Sequence, residues 1–237
     1  MKIRILHLLE GAKQATGVAV IIDVFRAFSV ESYLFGGGVK KVIPVADIQL
    51  AYDYQKNMPD ALLAGERGGK ICPGFDFGNS PAQIVGADLT GRTVIHTTSA
   101  GTQGLFGAEK AQMVLGASLT NAAATAEYIR RSGCDEVSLV CMGLAGKEPT
   151  EEDTLCAEYI KSLLEGTRIP LREGIENLKY TSGAKFFDPA QNDVFPREDF
   201  DLCTRPDIFP FALRLREDEK GIRFMNREDI WENGTGV

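Results

Sequence analysis

The chain has 237 residues, of which 44% are hydrophobic and 25% charged, with a net charge of −7. That is the composition of an ordinary globular protein long enough to bury a substantial core. Lys and Arg are spread along the sequence instead of clustered, which argues against a nucleic-acid or anionic-membrane surface. The five cysteines lack a C-x-x-C pair and only His7 and His96 are present, which excludes a histidine-rich metal site and predicts free thiols in a reducing cytoplasm.

In chain order, MKIRILHLLEGAKQATG has too short and too charged an apolar stretch for a leader or a membrane span, and no later segment is long enough to cross a bilayer. Six short apolar runs then predict strands: VAVIIDV (18–24), KKVIPVA (40–46), ALLAGE (61–66), TVIHTT (93–98), QMVLGAS (112–118) and VSLVCMG (137–143). Several are apolar on both faces, as in a sheet covered on each side. NAAATAEYIRRSG (121–133) predicts a helix closed by a glycine. EEDTLCAEYIKSLLEG (151–166) predicts another, with Leu155, Tyr159 and Leu163 four apart and with Thr150 and Asp153 spaced like an N-terminal cap. Alternating strands and helices predict an α/β fold, a largely parallel or mixed sheet in a three-layer α/β/α arrangement.

FGGGVKKVIPVADIQLA (35–51) and FGAEKAQMVLGASLTNA (106–122) align without a gap, with four identities in 17 positions. A duplicated β-α-β-α unit explains this match, as does the patterning that any α/β architecture imposes. The expectation is one domain over 1–237, with two lobes dividing near residue 90 as the alternative. Residues 167–237 read as short helices and loops packed on the body, ending in a hairpin or edge strand within EDEKGIRFMNRED.

The chemistry-bearing residues fall at strand ends, where open α/β sheets collect ligands. Asp23 can ligate Mg²⁺, which favours hard oxygens and takes one or two from protein, and Arg26 can fork onto phosphate; an N-cap aspartate paired with Arg26 is the structural alternative. TTSAGTQG offers Thr97, Thr98, Ser99, Gly101 and Thr102 as anion contacts before a helix, or simply as a turn. Glu66 and Arg67 precede paired glycines. Asn79 and Ser80 precede Pro81, and Ser118 and Asn121 start a helix as caps or ligand contacts. Lys147, Glu151, Glu152 and Asp153 surround a further helix start, where acidic residues commonly serve the helix dipole. A Walker P-loop, a D-x-D nucleophile, a cysteine-phosphatase loop and G-x-G-x-x-G are all absent.

Taken in order, DVFRAFS, AGERGG, FGNSP, TTSAGTQG, GASLTNA and EEDTLCAEYI resemble the 2-phosphosulfolactate phosphatase family, over about residues 18–165 and faintly through DFDLCTRPDIFPFAL near the C-terminus. The resemblance implies a Mg²⁺-dependent phosphohydrolase converting 2-phospho-3-sulfolactate to 3-sulfolactate, a step toward coenzyme M. It implies catalytic roles for Asp23, Arg26, Glu66 and Asp153, with Asp23 and Glu66 as metal ligands. It also implies a substrate pocket of Asn79, Ser80, Thr97, Thr98, Ser99, Gly101, Thr102, Ser118 and Asn121. Two departures stand out: TTSAGT replaces a T-T-N-G-T form, and Phe28 follows Arg-Ala where a small hydroxyl residue is common. The alternatives are a phosphatase of another phosphorylated hydroxy acid and a non-catalytic organophosphate- or sulfonate-binding protein. A homodimer is the default oligomeric expectation.

Overall fold

A computed structural model describes residues 1–231, so 232–237, the end of the C-terminal segment, lie outside the described residues. In chain order the regular elements are β1 (Lys2–His7), α1 (Leu8–Gln14), β2 (Val18–Ile22), α2 (Ala27–Gly36), β3 (Lys41–Pro44), α3 (Ile48–Asn57), β4 (Leu62–Arg67), β5 (Lys70–Ile71), α4 (Pro81–Ile84), β6 (Thr93–Thr97), α5 (Gly101–Gly107), β7 (Met113–Ala117), α6 (Ala122–Ser132), β8 (Glu136–Cys141), α7 (Glu151–Leu164), α8 (Arg172–Leu178), α9 (Arg197–Cys203), β9 (Phe211–Glu217) and β10 (Arg223–Asp229). All six expected strands form. β1 escapes the pattern because KIRILH alternates charged and apolar residues at a partly exposed edge.

One ten-stranded sheet runs in the order β1-β8-β2-β7-β9-β10-β3-β6-β4-β5. β1, β8, β2 and β7 are parallel to one another, as are β3, β6 and β4. The two blocks are joined by the β9–β10 hairpin through antiparallel pairings on each side. Three successive antiparallel steps separate β7 from β3, so the blocks run in opposite senses. The C-terminal hairpin is thus central, and the edge-strand alternative is corrected. Phe211, Ala212, Leu213 and Met225 are buried and seal the join between blocks.

The strand sides sort the helices into layers. Val18, Val20 and Ile22 face a core with Leu119, Ala122, Ala126, Ile129 and Ile160, the side of α6 and α7. Ile43, Leu63 and Ile95 face α3 through Ala51. The opposite side chains, Ala19, Ile21, Val42 and Val94, meet Ala12 of α1, Phe28 and Leu34 of α2, Ile84 of α4 and Leu105 of α5. This alternation within single strands is the period-2 signature of a sheet covered on both faces. No helix among the described residues is long and apolar enough to cross a membrane.

The order β2-α2-β3-α3-β4 repeats as β6-α5-β7-α6-β8. Counted outward from the hairpin, one block reads β7, β2, β8 and the other β3, β6, β4. Each position holds the equivalent strand of the opposite unit, except that β2 and β6 have changed places: the first strand of each unit lies between the second and third strands of the other. The units are related by a pseudo-two-fold axis through the β9–β10 hairpin and are intertwined by this exchange. Strand pairing accordingly crosses residue 90, with β6 between β3 and β4.

Candidate functional site

The ends of the first and third strands of both units converge on one cavity of about 190 Å³. It is lined by Asp23 after β2, Glu66 and Gly69 at β4, Ser99 after β6 and Gly143 after β8, together with Arg26, Asn79, Glu152, Lys185 and Phe195. Equivalent strand ends thus meet near the pseudo-two-fold axis, beside the starts of α2 and α5. The approach there is close: a Cβ on Gly101 would lie 2.6 Å from Ala27 Cβ and 3.0 Å from Asp23 Oδ2. Only glycine lets the two helix starts meet.

Asp23 caps α2. Its Oδ1 accepts from Ala27 N at 3.1 Å, and its Oδ2 accepts from Gly101 N at 3.0 Å. One carboxylate therefore ties the two units together. Burial, reinforced by the charges of Glu152 and Glu66, nevertheless pushes this carboxyl up to about 6 against the lowering effect of the two N–H groups. In the metal-free protein, Asp23 therefore binds a proton near pH 6 that the unfolded chain binds only near ~3.9. Its contribution raises stability as pH falls from about 6 to about 4, by on the order of 3 kcal/mol. Thermal unfolding in EDTA is expected to show a steeper gain toward low pH in the wild type than in Asp23→Asn, which keeps only the share of Glu152 and Asp153. A wild-type-to-variant difference that did not change with pH would contradict the shift.

Arg26 follows across a cis Phe25–Arg26 peptide bond. The ion pair with Asp23, the structural alternative, is not formed. Arg26 Nη1 instead donates to Asp199 Oδ2 at 2.7 Å and to Val194 O at 2.9 Å, and Nη2 donates to Gly69 O at 3.3 Å. Asp199 Oδ1 accepts from Ser80 Oγ at 2.8 Å and from Ala82 N at 2.9 Å. This fully buried carboxylate holds α4, α9 and Arg26 in register.

Glu66 orders the loops after β4 and β6. Its Oε2 accepts from Gly69 N at 2.7 Å and Ser99 Oγ at 3.1 Å, and its Oε1 accepts from Ser99 N at 2.6 Å. Asp153 accepts from Val24 N and Gly143 N, each at 2.8 Å, and does not line the cavity. The expected Thr150–Asp153 cap is absent because both Asp153 oxygens are turned to these two loops; Thr150 Oγ1 has no partner. Burial, with Glu152 and Asp23 nearby, drives the Asp153 carboxyl well above the usual carboxylate range. Glu152 beside it is 3% exposed and faces the cavity, its Oε2 has no hydrogen-bond partner, and burial raises its carboxyl too.

Several expected binding residues are spent on local structure. Thr98 and Thr102 exchange hydrogen bonds at the start of α5, with Thr98 N donating to Thr102 Oγ1 and Thr102 N to Thr98 Oγ1. Thr97 Oγ1 accepts from Arg67 at 2.8 Å. Ser118 and Asn121 form a capping box after β7, the second strand of its unit, which like β3 does not end at the cavity. Of the nine expected pocket residues, Asn79 and Ser99 line the cavity, while Gly101 reaches it through its N–H to Asp23. Lys185, Glu152 and Asp199 complete the site.

Among the described residues, no three His, Cys, Asp or Glu side chains form a ready-made metal cage. Mg²⁺ retains much of its water and needs one or two carboxylates. The donor set fits that requirement: Asp23 and Glu152 are hard oxygen donors on the cavity wall, and Glu152 Oε2 and Asn79 Oδ1 are buried there without partners. Glu66, the other expected ligand, accepts three hydrogen bonds, two of them on Oε2, against one on each oxygen of Asp23.

The sequence profile of the 2-phosphosulpholactate phosphatase family matches residues 4–218. A probable 2-phosphosulfolactate phosphatase of Bacillus subtilis is 31% identical over 204 residues, covering 85% of this chain and 88% of that protein. Its counterpart in Clostridium perfringens is 36% identical over 218 residues, covering 85% and 87%. One from Caldicellulosiruptor saccharolyticus is 40% identical over 149 residues, 61% of each chain. With the matched region spanning every strand end that lines the cavity, the chain belongs to the 2-phosphosulpholactate phosphatase family.

Proposed function

We propose that the protein hydrolyses 2-phospho-3-sulfolactate to 3-sulfolactate and inorganic phosphate, dependent on Mg²⁺, on the route to coenzyme M. The observation that carries this reading is the cavity itself, where buried carboxylates of Asp23 and Glu152 face the cations Lys185 and Arg26 in a chain of this family. Held by Asp23, with Asn79 Oδ1 alongside, Mg²⁺ would neutralise charge on the phosphoryl oxygens and leave Glu152 for proton transfer.

The chain's own groups divide the remaining work. Asp23 is fixed by two backbone N–H groups, one on each oxygen, and a carboxylate so oriented and turned to the cation favours attack by water over an aspartyl-phosphate intermediate. The unpartnered Glu152 oxygen is placed to hold that water or to give a proton to the departing alkoxide. In-line displacement demands little covalent chemistry from protein and much positioning. That is what Glu66 and Asp153 provide by locking the loops after β2, β4, β6 and β8.

The test is phosphate release from 2-phospho-3-sulfolactate and from phospholactate in Mg²⁺. Faster turnover of the sulfonate is expected. Release from phospholactate alone would keep the phosphatase chemistry and overturn the substrate assignment. Release from neither would favour a binding protein.

A further inference from the structure

Lys185 projects from a short 3₁₀ turn, Ala184–Phe187, in the stretch where the sequence has no periodic pattern. It lines the cavity, yet among the described residues it makes no hydrogen bond and no ion pair. Three aromatic rings surround its ammonium: Phe25 at 5.7 Å, Phe186 at 5.5 Å and Phe195 at 5.3 Å. The Arg26 guanidinium stands over two of the same rings, 4.8 Å from Phe195 and 6.0 Å from Phe186. Two cations are thus gathered at one aromatic wall, and only one of them, Arg26, is matched by a contacting carboxylate, Asp199.

Asp23 and Glu152 share the cavity with these cations, but among the described residues no carboxylate pairs with Lys185, so its ammonium, held beside a second cation, is open to an incoming anion. The ring faces hold both cations in place and keep the local dielectric low, which strengthens any anion pair they make. Carboxylates occupy the rest of the charged lining, so the cavity has an acidic part and a basic part. Besides its phosphoryl group, 2-phospho-3-sulfolactate carries a carboxylate and a sulfonate as non-reacting anions, and the sulfonate is the one that phospholactate lacks.

Resting on the phosphatase reading, we propose that Lys185 and Arg26 at the Phe186–Phe195 wall form the subsite for the sulfonate of the substrate, and that Lys185 sets the preference for substrates bearing it. The sulfonate keeps the same charge throughout hydrolysis. Contacts to it therefore stabilise ground state and transition state alike, and their loss raises KM more than it lowers kcat. A cation on the transferring phosphoryl group would behave in the opposite way.

Lys185→Met retains the aliphatic length and removes the charge. For 2-phospho-3-sulfolactate its KM is expected to rise about 30-fold, the worth of one charged hydrogen bond, with kcat changed by less than about threefold. For phospholactate the KM is expected to move by no more than about threefold, so selectivity collapses, and Lys185→Arg is expected to recover most of it. An equal fall in kcat on both substrates would put Lys185 on the phosphoryl group and overturn the proposal, as would no change on either. If the wild type turned over neither substrate, the phosphatase reading would fail. The subsite would then be read from the thermal shift given by 3-sulfolactate: loss of the shift in Lys185→Met supports it, and an equal shift in both proteins overturns it.

Discussion

Asp23→Asn is expected to lower kcat/KM for phosphate-ester hydrolysis by about 10³-fold or more, about 4 kcal/mol of transition-state stabilisation, while the protein still unfolds cooperatively. Asn is isosteric and keeps an oxygen for one of the two N–H groups that Asp23 binds, Ala27 N and Gly101 N. What it loses is the anion at the point where both units meet. No neighbouring group supplies a replacement: Glu66 already accepts three donors from Gly69 and Ser99, and Asp153 does not line the cavity. The thermal shift that Mg²⁺ gives the wild type, expected from binding to the folded state alone, is expected to shrink in the same variant. Turnover within tenfold of wild type would remove Asp23 from the chemistry and leave it as a helix cap.

Asp153→Ala tests the support beneath the site. The side chain joins the loop after β2 to the loop after β8 through two buried N–H groups, and truncation leaves both without a partner at about 1–3 kcal/mol each. Relief of repulsion with Glu152 and Asp23 offsets part of that. The net loss is expected to be about 3 kcal/mol, which lowers Tm by about 6–12 °C for a chain of this size. Turnover is expected to fall about 10–100-fold, the range for residues that orient a site from behind. An unchanged Tm with lost activity would instead place Asp153 on the substrate or metal. Loss of stability with full activity would show that the β2 and β8 loops need no clamp.

How far the sequence discloses this site depends on the range of the interactions that build it. Strand ends are local features, so VAVIID and TVIHTTS place Asp23 and Ser99 at the carboxyl ends of their strands. The duplicated unit is legible in FGGGVKKVIPVA and FGAEKAQMVLGA, but the exchange of β2 and β6 between blocks is not. It depends on the β9–β10 hairpin, whose residues are more than 90 positions from the strands it joins. That exchange decides which strand ends meet, and so why Ser118 and Asn121, also at a strand end, are left outside.

Partners are harder to read than positions. Arg26 follows Asp23 by three residues, yet its carboxylate is Asp199, at the start of DFDLCTRPDIFPFAL, where the resemblance is faint and names no role for it. Glu152 and Asp153 read identically as acidic residues of a first helical turn. In the fold one faces the cavity with an unpartnered oxygen, while the other turns to the backbone. Lys185, in AKFFD, gives no signal at all, because its role comes from Phe25 and Phe195 approaching from separate segments.

The central claim, a Mg²⁺-dependent phosphatase site built on Asp23, is tested most directly by phosphate release from 2-phospho-3-sulfolactate. The wild type and Asp23→Asn are assayed in Mg²⁺, in EDTA, and in EDTA followed by excess Mg²⁺. Wild-type release that stops in EDTA and returns with Mg²⁺, with none of the three conditions restoring the variant, is the expected result. Wild-type release that persists in EDTA, or a variant that matches the wild type in Mg²⁺, would contradict it.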